Sequence, residues 1–212
     1  ELGFGLGGRD QLPPLAFELA DGTKMELVGR IDRVDQAEYN NQLYVRIIDY
    51  KSSTKDISLD EVYYGLALQM LTYLDVIISH AHKLVGREAS PAGMLYFPVH
   101  NPLIKAADML APEQIEQEIL KQFKMKGLLL ENPGVLQLMD DNLKPGESSK
   151  SNIISANFLK SGEIGKTSKT ASEEEFEALR TFIHKTYKKS GNEIVELIKI
   201  LVDYHNFNIN QV

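Results

Sequence analysis

Two aspartates and a lysine in this chain have the types and spacing of a phosphodiester-cleaving site. Asp49 closes the apolar run of Val45, Ile47 and Ile48, and Lys51 follows it by two residues. Residues two apart on a strand share a face, so the two charges converge. Ending an apolar strand on a carboxylate brings no packing benefit. Asp32 lies upstream, in the strand-like stretch 25–34. Between the two stretches stand Asn40 and Asn41. Paired asparagines tolerate positive φ and suit a two-residue hairpin turn. With that turn, Asp32 falls opposite Asp49, with Cβ atoms about 4.5–5.5 Å apart. Two carboxylates so placed repel, and a divalent cation held by oxygen ligands neutralises them. Phosphate cleavage uses this set: carboxylates for Mg²⁺ and a cation beside the attacking water or the developing charge. Further oxygen donors are the backbone carbonyls of Ile48 or Tyr50. Glu18 or Glu26 could add a carboxylate, and nothing in the sequence chooses between them.

The elements that must position these groups follow from local patterning. Leu15–Leu19 predicts a short strand, and Asp21-Gly22 predicts a hairpin into the stretch 24–34. Three antiparallel strands are thus expected between Leu15 and Lys51. Ser58-x-x-Glu61 is a capping box, and the helix it starts is expected to reach about His80. Val62, Leu66, Met70, Tyr73, Leu74 and Ile77 form its apolar stripe. Gln69 and Tyr73, four apart, share a face. The run 91–99, apolar on both faces, predicts a central strand beside the Leu43–Tyr50 strand. Pro112–Lys126 predicts an amphipathic helix with Ile115, Ile119, Leu120 and Phe123 inward, ended by Gly127. Val135–Met139 is a short helix or strand. Residues 140–152 and 160–172 have the composition of mobile loops. A helix is expected from Ser172 to about Ser190, with Phe176, Leu179, Ile183 and Tyr187 buried, and a further apolar segment from Glu193. Arg30 and Arg33 flank Asp32, either as plain surface charges or as contacts to DNA phosphate.

Composition sets limits. The chain has 212 residues and 43% hydrophobic content, enough for one substantial core. Its net charge of −7 argues against a free-standing nucleic-acid-binding module, which would be basic. It does not exclude a nuclease to which a larger assembly delivers DNA. With no cysteine, the chain has no disulfide, thiol nucleophile, cysteine zinc site or iron–sulfur cluster. No signal peptide or long apolar span appears, so a soluble, intracellular protein is expected. The start at Glu1 rather than Met suggests an excised fragment.

Gly29-Arg30-Ile31-Asp32-Arg33, then Ile48-Asp49-Tyr50-Lys51-Ser52, then Gln69 and Tyr73, resemble the RecB-type PD-(D/E)XK nucleases. Among these, the AddB-type (RexB-type) nuclease domains of ATP-dependent helicase–nuclease complexes are most similar. The likeness is good over residues 2–100 and weak beyond Asn101. It implies an α/β fold with a restriction-endonuclease-like core: a mixed sheet with an N-terminal antiparallel meander, flanked by helices. Residues 1–14 would be a flexible lead-in and 15–190 the nuclease domain, with its core at 15–100. Residues 191–212 would be an atypical tail. The resemblance implies a Mg²⁺- or Mn²⁺-dependent exonuclease-type deoxyribonuclease acting in double-strand-break end processing. Asp32, Asp49 and Lys51 would be catalytic, with Asp32, Asp49 and the Tyr50 carbonyl on the metal. Gln69, Tyr73 and Arg30 would position DNA. The implied partners are DNA and the companion helicase–nuclease subunit of the same complex. AddB-type domains also carry four cysteines for a [4Fe–4S] cluster, which cannot form here; His205 and Asn206 stand where its C-terminal part is expected. The alternative is a non-catalytic nuclease-like scaffold that holds the helicase subunit or DNA. A small-molecule enzyme is disfavoured by the absence of a nucleophile–base signature or phosphate loop.

Overall fold

The structure is a computed structural model that describes residues 1–5, 7, 12–100, 103 and 111–209, with side chains through residue 200. The chain opens with strands β1 (Leu2–Phe4), β2 (Leu15–Glu18), β3 (Lys24–Leu27), β4 (Gly29–Ile31), β5 (Arg33–Tyr39) and β6 (Gln42–Lys51). Helices α1 (Leu59–Tyr63), α2 (Gln69–Ser79) and α3 (Ala81–Val85) lead to β7 (Ser90–Pro98). Then come α4 (Pro112–Gln122), β8 (Lys126–Leu130), α5 (Pro133–Gln137), β9 (Ser149–Lys150), β10 (Asn157–Phe158), β11 (Thr170–Ala171) and α6 (Glu173–Ile209).

Asn40 and Asn41 both take positive φ, 50° and 64°. They make the hairpin between β5 and β6, whose register runs from Tyr39 opposite Gln42 to Arg33 opposite Ile48. This is the register counted from the turn. β6 then pairs parallel with β7, reached through the helical crossover. The main sheet has five strands in the order β11, β8, β7, β6, β5. It is mixed: β7 and β8 are antiparallel, and β11 joins β8 in parallel.

Alternation along the central strands feeds two cores. Ile47, Met94 and Leu128 face α2 and α6 with Leu71, Leu74, Phe176 and Ile183. Their sequence neighbours Ile48, Leu95 and Leu129 face the other way, onto Leu136, Leu143, Ile154 and Phe158. Both sheet faces are therefore covered, which explains the continuous apolar runs. Asp49 and Lys51 share the parity of Ile47, so they emerge on the α2 side.

α6 is held to α2 by a charged clamp. Asp75, fully buried, accepts from Arg180 Nε at 2.8 Å and lies 2.7 Å from His184 Nε2. Thr72 Oγ1 and the Tyr187 hydroxyl are 2.6 Å apart. The hairpin of β2 and β3 reaches α6 at Gly191, where a Cβ would stand 2.8 Å from Leu19 Cδ2 and 2.9 Å from Met25 Sδ.

Several expectations are corrected. The 24–34 stretch is not one strand of a single meander. It breaks at Val28 and Asp32, so β3 pairs only with β2 and β4 with β1. The lead-in is a strand at Leu2–Phe4, with Phe4 buried; residues 8–11 of it lie outside the described residues. The expected long helix is two. Leu66 N donates to Glu61 O at 2.8 Å and Gly65 N to Val62 O at 2.9 Å, with Gly65 at φ 75°, a Schellman ending for α1. Leu66, expected in the apolar stripe, is exposed. α4 ends at Gln122, no residue of it is buried, and Gly127 lies inside β8. The segment from Glu193 continues α6 without a break.

The two expected mobile loops are anchored. Asp140 accepts from Ser151 Oγ at 2.6 Å, from Asn142 N and Nδ2 at 3.0 and 2.9 Å, and from Asn152 N at 3.2 Å. The second loop ends in β11, and Lys169 Nζ lies 2.6 Å from Asp56. Glycine, serine and lysine made both segments resemble mobile loops, while a few long-range bonds decide their order.

Asp75→Ala is expected to destabilise the fold by about 3–5 kcal/mol, because Arg180 loses its buried partner. Denaturant melts check this; an unchanged midpoint would show the clamp to be incidental. For Asp140, burial pushes the carboxyl pKa up, but the hydrogen bonds from Ser151, Asn142 and Asn152 outweigh it and hold it below the usual value. A depressed carboxylate contributes stability above its unfolded pKa, about 3.9, and loses it as pH falls through the lower folded value. Asp140→Asn is therefore expected to be less stable than wild type at pH 7. The gap should close at pH values below the folded pKa, as read from melts at each pH.

Candidate active site

β6 delivers Asp49 and Lys51 to one spot because its period of two puts both on the α2 face. Asp49 is 4% exposed despite its charge. Lys51 Nζ lies 2.6 Å from Asp49 Oδ2, a close ion pair, and this buried oxygen takes no other hydrogen bond among the described residues. Lys51 Nζ also donates to Gln69 Oε1 at 3.2 Å. Gln69 Nε2 in turn donates to the Tyr73 hydroxyl at 2.8 Å. The amide orientation follows from this, with its oxygen to the ammonium and its NH₂ to the phenol. Asp49, Lys51, Gln69 and Tyr73 thus form one polar chain from strand to helix.

Asp32 joins from the bend between β4 and β5. It stands one step past the last paired position of the hairpin, opposite Asp49 by register. It leaves the ladder, and its Oδ2 accepts from Tyr50 N at 3.0 Å. Ile31, fully buried beside it, fixes the strand on which it hangs. The carboxylate is therefore tied to the amide next to Asp49.

Other candidates fall elsewhere. Arg30 is exposed and 3.8 Å from Glu1. Arg33 pairs with Asp35 at 2.7 Å. Glu18 and Glu26 lie exposed on the β2–β3 hairpin. Among the described residues no cluster of three or more His, Cys, Asp or Glu could hold a metal, so neither glutamate completes a ligand set. The side chains of His205 and Asn206 lie outside the described residues.

Three supporting residues are not apparent from the linear pattern. Tyr96 pairs with Asp49 across β6 and β7, and its ring centroid is 5.7 Å from Lys51 Nζ. Burial, and then the Asp49 charge, push its phenol pKa up, so it is a neutral wall at ordinary pH. Phe4 meets Tyr73 edge-on at 6.1 Å. Gly29 makes room for that contact: a Cβ there would come within 2.9 Å of the Phe4 ring. The only local hint was an aromatic residue in a glycine-rich segment.

A mixed sheet with an interior strand ending in Asp-x-Lys, and an aspartate from the adjoining bend tied to the same strand end, defines a class. The chain belongs to the PD-(D/E)XK nuclease superfamily, whose model matches residues 5–199. Among curated proteins it is similar to the B subunits of the ATP-dependent helicase/deoxyribonuclease of Bacillus thuringiensis subsp. konkukian, Bacillus cereus and Bacillus mycoides. Each is 50% identical over 210 residues, which is 98% of this chain and 18% of the relative. The chain thus spans under a fifth of these relatives. The likeness also runs well past Asn101 and into the C-terminal segment, contrary to expectation.

The Asp49–Lys51 pair sets a testable balance of charge. In chelator, Lys51→Met leaves a buried carboxylate without its cation and is expected to lower the melting temperature. Adding Asp49→Asn to Lys51→Met removes that charge and is expected to recover most of the loss. Equal melting of Lys51→Met and wild type would mean that the pair carries no weight.

Proposed function

We propose that this chain is a divalent-cation-dependent deoxyribonuclease domain that hydrolyses DNA phosphodiester bonds. The observation that carries the reading is the buried Asp49 carboxylate, paired with Lys51 at 2.6 Å, with Asp32 held on the adjoining amide. Two carboxylates sharing one lysine leave negative charge for a further cation to balance. Two carboxylates suit Mg²⁺, which is bound through one or two carboxylates and keeps several waters; Mn²⁺ suits the same oxygens. Asp32, Asp49 and the Tyr50 carbonyl would hold the ion. When bound, it supplies Lewis acidity toward the phosphate and a more acidic water.

The chain's own residues then have distinct tasks. Lys51 offers its ammonium to the attacking water and to the negative charge that grows on the phosphate oxygens as the P–O bond breaks. Gln69 holds Lys51 when substrate is absent and, with Tyr73, orients the strand. Tyr96 closes the far side of Lys51 with an uncharged ring. Arg30, exposed on β4, takes a phosphate away from the reacting one.

The family match and the names of the relatives support placing this domain in a helicase–nuclease complex. There it would act as an exonuclease on double-strand-break ends during recombinational repair, in the bacterial cytoplasm. Its partners would be DNA and the companion helicase–nuclease subunit of that complex. The charge of −7 suits a domain to which a partner brings the strand. Among the described residues no helix is long and apolar enough to cross a membrane. The scaffold alternative is weaker, because a scaffold gains nothing from two carboxylates placed opposite each other.

Cleavage of labelled single-stranded DNA in Mg²⁺ and in Mn²⁺ tests the reading. Asp32→Ala, Asp49→Ala and Lys51→Ala are each expected to reduce the rate by at least about a thousandfold, with circular dichroism unchanged. Near-normal cleavage by any one removes that residue from the site. Thermal melts supply a second readout. Mn²⁺ at one hundred times Kd is expected to stabilise wild type by about 2.7 kcal/mol, and Asp49→Ala far less.

A further inference from the structure

The corner between α1 and α2 exposes two adjacent aromatic rings. Tyr63 is 70% and Tyr64 75% exposed, and the two meet edge-on at 5.3 Å. Tyr63 is also braced from below, lying within 14° of parallel to Phe182 of α6 at 6.3 Å. Gly65, at φ 75°, turns the chain immediately after them. The rings are therefore held in place while remaining in solvent.

They wall a groove of about 800 Å³ between the corner, β3 and α6. Residues lining the groove adjoin, along the chain, residues of the site described above. Leu68 on one side is followed by Gln69, and Leu27 on the other leads to Gly29, packed under Tyr73. Lys185 and Lys189 stand on the α6 side. Lys189 has only a loose partner, Glu193 at 3.9 Å, and Lys185 has none among the described residues. In a chain of net charge −7, two weakly engaged lysines beside exposed rings favour an anionic ligand with flat groups.

We propose that Tyr63 and Tyr64 are a stacking platform for the bases of an unpaired DNA strand. Lys185 and Lys189 take its phosphates, and the groove leads the strand to Lys51. Stacking on a protein ring tolerates any sequence because every base has a π-face, and it requires bases free of a duplex. The inference rests on the nuclease reading of the adjoining site.

The test uses the 212-residue chain carrying Asp49→Ala, in chelator at low ionic strength, so that binding is seen without cleavage. The probe is oligothymidylate containing 2-aminopurine. Fluorescence anisotropy should show Tyr63→Ala/Tyr64→Ala binding about tenfold more weakly or worse, with the quenching of 2-aminopurine lost. Tyr63→Phe/Tyr64→Phe keeps the rings and should keep both signals. Lys185→Ala/Lys189→Ala should weaken binding and reduce the salt dependence by about two phosphates. Tyr64→Ala alone, at the more exposed ring, guards against a folding defect in the double variant. Unchanged binding by the alanine variants overturns the platform, as does equal loss in the phenylalanine pair or no binding by the parent chain. Altered sedimentation of the alanine variants with normal DNA binding also overturns it, in favour of a protein contact. Cleavage by the chain with Asp49 intact is scored separately. If it cleaves while the tyrosine variants bind normally, the platform alone fails. If binding behaves as expected without cleavage in Mg²⁺ or Mn²⁺, the catalytic reading fails and the platform stands.

Discussion

A carboxylate at the end of a strand covered on both faces governs the arrangement of this protein. Asp49 has lost its water, and only the Lys51 ammonium faces its inner oxygen. Such a charge is costly unless the groups around it are fixed. The surrounding structure supplies that fixity. β7 places Tyr96 alongside, the bend after Ile31 ties Asp32 to the Tyr50 amide, and the first turn of α2 brings Gln69 to Lys51. The apolar runs of β6 and β7 hold the strand end rigidly enough for these contacts to persist.

α2 has two different faces. Gln69 and Tyr73 serve the polar chain to Lys51. Thr72 and Asp75, on the α6 side, are tied to Tyr187, Arg180 and His184. The helix is short, and its first turn has no side-chain cap. Its position therefore depends on tertiary contacts more than on its own propensity. The Asp75 clamp thereby becomes part of what sets the location of Gln69, although no atom of it touches the site.

The sequence made the hairpin and the site unusually legible. Asn40 and Asn41 fixed the turn, the turn fixed the register, and the register brought Asp32 beside Asp49. Asp-x-Lys at the end of an apolar strand and the four-residue spacing of Gln69 and Tyr73 marked the rest. What escaped were mainly contacts that depend on distant partners. Phe4 pairs with β4 across an intervening hairpin, and no local pattern signals that. The helix expected from Ser58 ran through Gly65, but the positive φ that Gly65 takes ends α1 there. Asp140 gathers its donors from a segment whose composition alone suggested mobility. Local chemistry thus marked the candidate polar groups, while long-range packing determined which residues buttress them.

The distance along the chain between Asp75 and its partners has a consequence for the order of events at birth. All the residues of the polar site lie within the first half of the polypeptide, yet Arg180 and His184 are made more than one hundred residues after Asp75. Until they emerge, the Asp75 carboxylate has nothing to replace its water, and burying α2 against the sheet would strand a charge. During synthesis from the N-terminus, the central strands can pair early while α2 stays loosely docked. The helix that presents Gln69 and Tyr73 locks only when α6 arrives. A ribosome-bound chain stopped before that point would carry every residue of the polar chain and still lack the contacts that hold Gln69 and Tyr73 in place.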